Sequence, residues 1–129
     1  MNDLEIAKLK QRAAEASRFA YCPYSRFPVG AAVLGASGRV YAACNVENAS
    51  YGLTLCAERN AIFHAVAAGE TEIAALVLYT PTPEPTTPCG ACRQVLVEFG
   101  GGARVLCTSD GTSVLEFGAR ELLPNSFSL

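Results

Sequence analysis

The sequence predicts an α/β fold, a three-layer sandwich in which a five-stranded mixed sheet carries helices on both faces. Two observations support this class. Apolar residues recur at helical spacing in some segments and form short unbroken runs in others, as strands require. These segments follow the order helix, two strands, helix, strand, helix, strand, with a short fifth strand after them. Half of the 129 residues are hydrophobic, so we expect one globular domain over residues 1–129.

The N-terminal third of the chain predicts a helix followed by a β-hairpin. The helix begins near Asn2 or Asp3 and is indicated by an apolar stripe. The members of this stripe are Ile6, Leu9, Ala13, Ala16 and Ala20. The hairpin consists of strands over residues 29–34 and 39–44, and the glycines in the turn between them supply positive φ angles where the turn needs them.

The rest of the chain predicts two more helices that alternate with strands. In order, the elements are a loop over residues 45–53, a helix over 56–68, a strand over 73–79, a helix over 89–99, strands over 104–108 and 113–117, and a helical turn over 119–123. The strand over 73–79 is a continuous apolar run, which is typical of a strand covered on both faces. Both helices begin at a cysteine, so we expect two cysteine-bearing helix N-termini at the edge of the sheet, where α/β folds bind ligands.

Charge and composition argue against several classes of partner. The net charge is −2, whereas nucleic acids and anionic membranes attract proteins with clustered Lys and Arg. Charged side chains are spread through the first twenty residues, so we expect neither a signal peptide nor a membrane span there. We therefore expect a cytoplasmic protein that binds a small molecule and has no nucleic-acid or membrane partner.

Three cysteines and one glutamate carry the functional prediction. Cys89 and Cys92 are three residues apart at a helix start, so both side chains can bind one ion, and Cys56 would come from the other helix start. Glu58 follows Cys56 by two residues, a spacing that points side chains apart on a helix, so we interpret Glu58 as a proton carrier rather than a ligand. Three protein ligands leave one position of a tetrahedral Zn²⁺ open for water. The sequence therefore predicts one catalytic zinc ion in the chain.

Other interpretations of the six cysteines are weaker. A disulfide framework is unexpected in a reducing cytosol, and a redox dithiol would leave Cys56 and Glu58 without a role. A closed structural zinc site needs a fourth ligand, and His64 is the only histidine. His64 lies eight residues after Cys56, about 12 Å along a helix axis, and is interpreted as an ordinary helix residue. The remaining three cysteines are expected to be buried, small apolar side chains: Cys22, Cys44 and Cys107.

These motifs resemble those of the small, homotetrameric, zinc-dependent cytidine deaminases. The segments that carry the resemblance are Tyr21-Cys22-Pro23-Tyr24-Ser25, Asn45-Val46-Glu47-Asn48, Cys56-Ala57-Glu58-Arg59, Pro88-Cys89-Gly90-Ala91-Cys92-Arg93-Gln94 and Leu122-Leu123-Pro124. The resemblance implies a cytidine deaminase-like fold and hydrolytic deamination of cytidine and 2′-deoxycytidine to uridine and 2′-deoxyuridine, with release of ammonia. It further implies a role in pyrimidine salvage, one Zn²⁺ per subunit, and a homotetramer with shared active sites.

The resemblance also implies roles for individual residues. Asn45 and Glu47 would hold the ribose hydroxyls, since an amide and a carboxylate together offer donors and acceptors. Arg59, three residues after Cys56, would offset the excess negative charge of three thiolates on a divalent ion. The other implied roles are Phe27 in the base pocket, Ala57 as a backbone N–H donor to the pyrimidine carbonyl, and Tyr51 and Phe127 in a neighbouring subunit's pocket.

Two rival functions stay open. The nearer rival is a blasticidin-type aminopyrimidine nucleoside deaminase, which shares the zinc pattern, although Asn45 and Glu47 favour a free ribose. The distant rival is a non-enzymatic zinc-binding module that docks a partner, and it would bind zinc without altering cytidine. Deaminases of RNA or DNA mostly place His where Cys56 stands and need a basic surface, and this chain has neither feature.

Overall fold

The helices and strands follow the predicted order in a computed structural model that describes residues 1–129. The helices are α1 (Asp3–Ser17), α2 (Ala57–Ala67) and α3 (Gly90–Gly100), and the strands are β1 (Gly30–Gly35), β2 (Val40–Cys44), β3 (Ile73–Thr80), β4 (Arg104–Ser109) and β5 (Leu115–Gly118). Two short 3-10 helices occupy Tyr51–Leu53 and Ala119–Leu122. No helix of the chain has the length and apolar character that crossing a membrane would require.

The five strands form one mixed sheet, as predicted, and their order across it is β2-β1-β3-β4-β5. β1 is antiparallel to both β2 and β3, while β3 and β4 are parallel and β5 is antiparallel to β4. Parallel strands need a crossover connection, and the segment containing α3 supplies it between β3 and β4. β3 therefore lies at the centre of the sheet, and its C-terminal end leads into the proline-rich loop before Cys89.

Helices cover both faces of the sheet, which confirms the three-layer prediction. On one face, Leu9 and Ala13 of α1 pack against a buried row formed by Ala32, Val77 and Leu106, which are aligned in the strand register. α2 and α3 cover the opposite face over a cluster of 15 buried residues. Alternate residues of each strand point to opposite faces, so the apolar run of β3 contributes to both layers.

α2 and α3 each begin immediately after a cysteine. Cys56 and Cys89 are N-cap residues with extended backbone, at φ −70° and ψ 156° and at φ −70° and ψ 167°. The prediction placed both cysteines within the helices, whereas each lies one residue before the first residue of its helix. Neither thiol caps the free N–H groups of its helix, as an N-cap Ser or Asp would. Both sulfur atoms are therefore available for another partner.

Candidate metal centre and active site

Three sulfur atoms meet between the N-termini of α2 and α3. The Sγ atom of Cys89 lies 3.7 Å from that of Cys56 and 3.4 Å from that of Cys92. All three sulfurs lie within 4.8 Å of one another, and none is in a disulfide. Thiolates bound at about 2.3 Å to a tetrahedral ion would be about 3.8 Å apart. The spacing therefore suits three ligands of one zinc ion.

Local sequence explains how α3 presents two of these sulfurs. Cys89 is the N-cap of α3 and Cys92 is the third helical residue, so their side chains meet on one side of the first turn. Arg93 fixes the segment before them, because its guanidinium donates to the carbonyl oxygens of Pro88 at 2.8 Å and Leu122 at 3.0 Å. The hydrogen bond from Arg93 therefore holds the proline-rich loop in place at Pro88, the residue before Cys89.

Cys56 and Cys92 differ in how readily their thiols lose a proton. The thiol of Cys92 hydrogen-bonds to Cys56 and lowers the pKa of Cys56 to about 5, against the opposing effect of burial, and Arg59 adds to the shift. The same hydrogen bond, with burial, raises the pKa of Cys92. One negative charge therefore forms readily, and a second requires compensation. A divalent ion that binds thiolates provides it, so the donor set fits Zn²⁺.

Glu58 lies beside the sulfur cluster but is not part of it. It is the second residue of α2 and only 4% exposed. Burial raises the pKa of Glu58 to about 7, and the negative charge of Cys56 acts in the same direction. A carboxyl group that titrates near neutral pH can both accept and donate a proton, as the proposed proton carrier must.

A cavity of about 280 Å³ opens beside the sulfurs and Glu58. Seven residues singled out from the sequence line it: Phe27, Asn45, Glu47, Cys56, Ala57, Glu58 and Cys89. A larger cavity of about 580 Å³ lies between α1 and the hairpin, and none of its lining residues is a cysteine or an aromatic residue. The smaller cavity is the candidate active site, because potential metal ligands and a carboxyl group with a raised pKa converge there.

Six further residues line this cavity and were given no functional role from the sequence. They are Ser25, Val29, Thr54, Leu78, Thr86 and Thr87. Thr86 and Thr87 directly precede the Pro-Cys motif, so their nearness along the chain was an available signal. Leu78 had no such signal, because an apolar residue in a buried strand resembles every other core residue.

Asn45 lines the cavity and also stabilises the neighbouring loop through two hydrogen bonds. It is buried, its amide donates to the carbonyl oxygen of Phe27, and its oxygen accepts from the N–H of Val29, both at 2.9 Å. Arg26, which lies between Ser25 and Phe27 in the chain, adopts a left-handed backbone conformation with φ 57°. Residues other than glycine adopt this conformation only where surrounding contacts enforce it. Asn45 therefore helps to hold a strained turn that places Phe27 at the cavity.

A second cavity, of about 350 Å³, adjoins the first at Ser25, Glu47 and Thr54. Its outer wall is formed by Tyr24 and Tyr51, whose rings make an edge-to-face contact with centroids 5.7 Å apart. The Ser25 hydroxyl holds the pKa of Glu47 below its usual value. The residues of this chain that line the two cavities include no Lys, Arg or His.

Arg59 contacts the sulfur cluster from within α2. Its Nη2 atom lies 3.5 Å from the Sγ atom of Cys56, while its Nε atom is buried and has no hydrogen-bond partner. A guanidinium in this position stabilises the deprotonated, negatively charged form of Cys56. The charge-offsetting role of Arg59 stays a prediction, and this contact is the geometry that the role requires.

Tyr51 and Phe127 are exposed aromatic residues in different places. Tyr51 is 73% exposed and borders the second cavity. Phe127 is 71% exposed and lies in a groove beside Glu98 and Arg120, so it does not line the cavity of its own chain. A role for Phe127 at an active site would therefore have to be at that of another subunit.

The remaining cysteines only partly match expectation. Cys107 is fully buried in β4, and burial raises its pKa to about 11. Cys22 and Cys44 are only partly buried, so the prediction of buried thiols was wrong for both. Cys44 ends β2, an edge strand of the sheet, and Cys22 lies in a loop, so each has packing neighbours on fewer sides than Cys107 in β4. His64 packs against Tyr41, with ring centroids 5.4 Å apart, and is not in the sulfur cluster.

Comparison with known proteins adds independent findings. Residues 4–108 match the family described as "Cytidine and deoxycytidylate deaminase zinc-binding region". The cytidine deaminase of Sporosarcina psychrophila is 44% identical over 126 residues, which is 97% of this chain and 93% of the relative. The cytidine deaminase of Mycobacterium tuberculosis H37Rv is 42% identical over 129 residues, covering 100% of this chain and 94% of the relative. The crystal structure of cytidine deaminase from Burkholderia pseudomallei superposes with a TM-score of 0.91 at 45% identity, covering 98% of this chain and 100% of that one.

Proposed function

The chain belongs to the cytidine and deoxycytidylate deaminase family, and from this premise we propose that it hydrolyses cytidine and 2′-deoxycytidine to uridine and 2′-deoxyuridine, releasing ammonia. One observation carries the proposal. Three thiols that suit one metal ion lie beside a buried carboxyl group, and both border a cavity. Hydrolytic deamination needs a nucleophilic water and a proton carrier at the same point, and this arrangement supports both.

We assign one Zn²⁺ per chain to Cys56, Cys89 and Cys92. When bound, zinc supplies a Lewis acid that makes water a nucleophile near neutral pH. Three thiolates exceed the charge of a divalent ion by one, which would weaken that effect. The guanidinium of Arg59 offsets the excess through its contact with Cys56.

Glu58 carries the protons of the reaction. As a carboxylate it accepts a proton from the water that adds to C4 of the base, and it passes this proton to N3. It then takes the proton of the new hydroxyl on C4 and delivers it to the amine on the same carbon. The C4–N bond breaks, ammonia leaves, and the C4 oxygen becomes the carbonyl of uracil. A pKa of about 7 supports this sequence, because neither protonation state of Glu58 is costly at neutral pH.

Residues around the cavity recognise a nucleoside. Asn45 keeps one N–H and one lone pair after its two loop bonds, and it offers these to the ribose with Glu47. Ala57 is the first residue of α2, so its N–H has no partner within the helix and is free for the pyrimidine carbonyl. Phe27 lines the part of the cavity that would hold the base. The absence of cationic side chains favours nucleosides over nucleotides.

We further propose a homotetramer in which Tyr51 and Phe127 complete the pocket of a neighbouring subunit. Both aromatic rings are more than two-thirds exposed in the single chain, and such side chains are enriched in protein interfaces. The enzyme would act in pyrimidine salvage in the cytoplasm, where reducing conditions keep its thiols free.

The direct test measures turnover of a panel of four compounds, with ultraviolet absorbance as the readout. We expect loss of absorbance with cytidine and 2′-deoxycytidine, and much slower turnover of 2′-deoxycytidine 5′-monophosphate and blasticidin S. Preferential turnover of blasticidin S would favour the aminopyrimidine rival instead. Bound zinc without turnover of any of the four compounds would favour a zinc-binding interaction module.

Arg59→Gln tests the charge-offsetting role. We expect the variant to keep its zinc but to lose about tenfold in kcat, because glutamine fills similar space without the positive charge. Metal analysis and steady-state kinetics measure the two quantities. Arg12→Gln, on the exposed side of α1, is the control and should retain full activity. Unchanged kcat in Arg59→Gln would mean that the guanidinium is only a structural charge.

A further inference from the structure

Ser25 makes three hydrogen bonds at the junction of the two cavities. Its backbone N–H donates to Oε1 of Glu47 at 3.1 Å, and its hydroxyl donates to Oε2 through a short hydrogen bond. The same hydroxyl oxygen accepts the N–H of Phe27 at 3.1 Å. One small side chain therefore connects the carboxylate of Glu47 to the backbone of the residue that lines the base pocket.

The hydrogen bonds of Glu47 leave it little remaining capacity. Oε1 accepts two backbone N–H groups, from Tyr24 at 3.0 Å and from Ser25. Oε2 accepts the Ser25 hydroxyl. A carboxylate offers about four acceptor positions in total. One position is left, on Oε2, and the direction in which it points depends on the hydroxyl that occupies the other position on that oxygen.

We propose that Ser25 is a positioning residue, whose hydroxyl orients Glu47 so that its one remaining acceptor position faces a single ribose hydroxyl. The inference rests on the proposed function, because it takes a ribose as the group that Glu47 binds. The link from the same hydroxyl to Phe27 keeps the sugar contact and the base pocket in a constant relation. Without that hydroxyl, the carboxylate turns more freely and its contact with the ribose weakens.

The chain contains a matched control for this arrangement. Ser37 donates its N–H to Oε1 of Glu70 at 3.0 Å and its hydroxyl to Oε2 at 2.6 Å, and its hydroxyl oxygen accepts the N–H of Arg39 at 3.2 Å. This is the same pattern of three bonds, located in the β1–β2 turn, and neither Ser37 nor Glu70 lines either active-site cavity. Ser37→Ala therefore removes equivalent bonds without touching the proposed substrate.

The experiment compares Ser25→Ala, Ser25→Thr and Ser37→Ala on cytidine and on 2′,3′-dideoxycytidine, which lacks the ribose hydroxyls on C2′ and C3′. For Ser25→Ala we expect KM for cytidine to rise about tenfold with kcat changed less than about threefold. The preference for cytidine over the dideoxy compound, as a ratio of kcat/KM, should fall by a similar factor. Ser25 is exposed, so threonine has room for its methyl group and should restore the ratio. Ser37→Ala should keep the wild-type ratio.

The ratio is measured with both substrates on one preparation, so it does not depend on the fraction of the variant that folds. A ratio in Ser25→Ala equal to that of wild type and Ser37→Ala overturns the inference, and so does a threonine variant that behaves like alanine. In both cases wild-type turnover of cytidine leaves the proposed function intact. A wild-type protein that does not deaminate cytidine contradicts the proposed function itself.

Discussion

Glu58→Gln is expected to retain zinc and fold while its kcat falls by about 10²–10⁴-fold, the usual contribution of a positioned general acid and base. Glutamine has nearly the same shape but can neither accept a proton from water nor deliver one to the departing amine. Glu58 is buried, so little bulk water reaches this position to take over the proton transfers. Steady-state kinetics with cytidine, together with metal analysis, measures the effect.

The same substitution is expected to leave stability unchanged or to raise it. Burial raises the pKa of Glu58 in the folded chain to about 7, so the folded state disfavours the charged form of this side chain. The folded protein therefore loses stability as the pH rises above the pKa that Glu58 has in the unfolded chain. A neutral amide removes this effect. Thermal unfolding of the metal-free protein at pH 8 measures it, with Glu98→Gln on the exposed side of α3 as control. A Glu58→Gln enzyme with wild-type kcat would refute the assignment of Glu58 as proton carrier.

Cys92→Ala is expected to abolish both zinc binding and turnover. Cys92 is fully buried at the first turn of α3, and its loss leaves two thiols where the proposed site needs three. We expect wild-type protein to contain about one zinc per chain, to lose activity on chelation, and to regain activity when zinc is returned. The alanine variant should bind almost no zinc and should not respond to added metal.

Cys107→Ala is the matched control for this prediction. Cys107 is also fully buried, so its truncation removes a comparable volume from the core, but its sulfur lies outside the cluster of three. It should therefore lose stability without losing zinc or kcat. Equal loss of zinc in both variants would show that the effect of Cys92→Ala comes from damaged packing rather than from a missing ligand.

Local spacing explains what could be predicted from the sequence. Cys89 and Cys92 stand one helical turn apart, and Glu58 follows Cys56 within another helix, so each group was visible within a few residues of chain. Hydrophobic periodicity likewise predicted the order of strands and helices. It did not predict their ends, because an N-cap such as Cys56 is defined by backbone angles and by bonds that periodicity does not report.

The amino-acid sequence by itself therefore determined the order of the elements and the kinds of chemical group present. Only the tertiary structure determined their environments. Cys56 and Cys89 are 33 residues apart in the chain yet 3.7 Å apart in space, and Ser25 reaches Glu47 across 22 residues. The raised pKa of Glu58 likewise follows from burial by other segments. Desolvation and hydrogen bonding depend on which distant parts of the chain pack together, and spacing along the sequence does not record that.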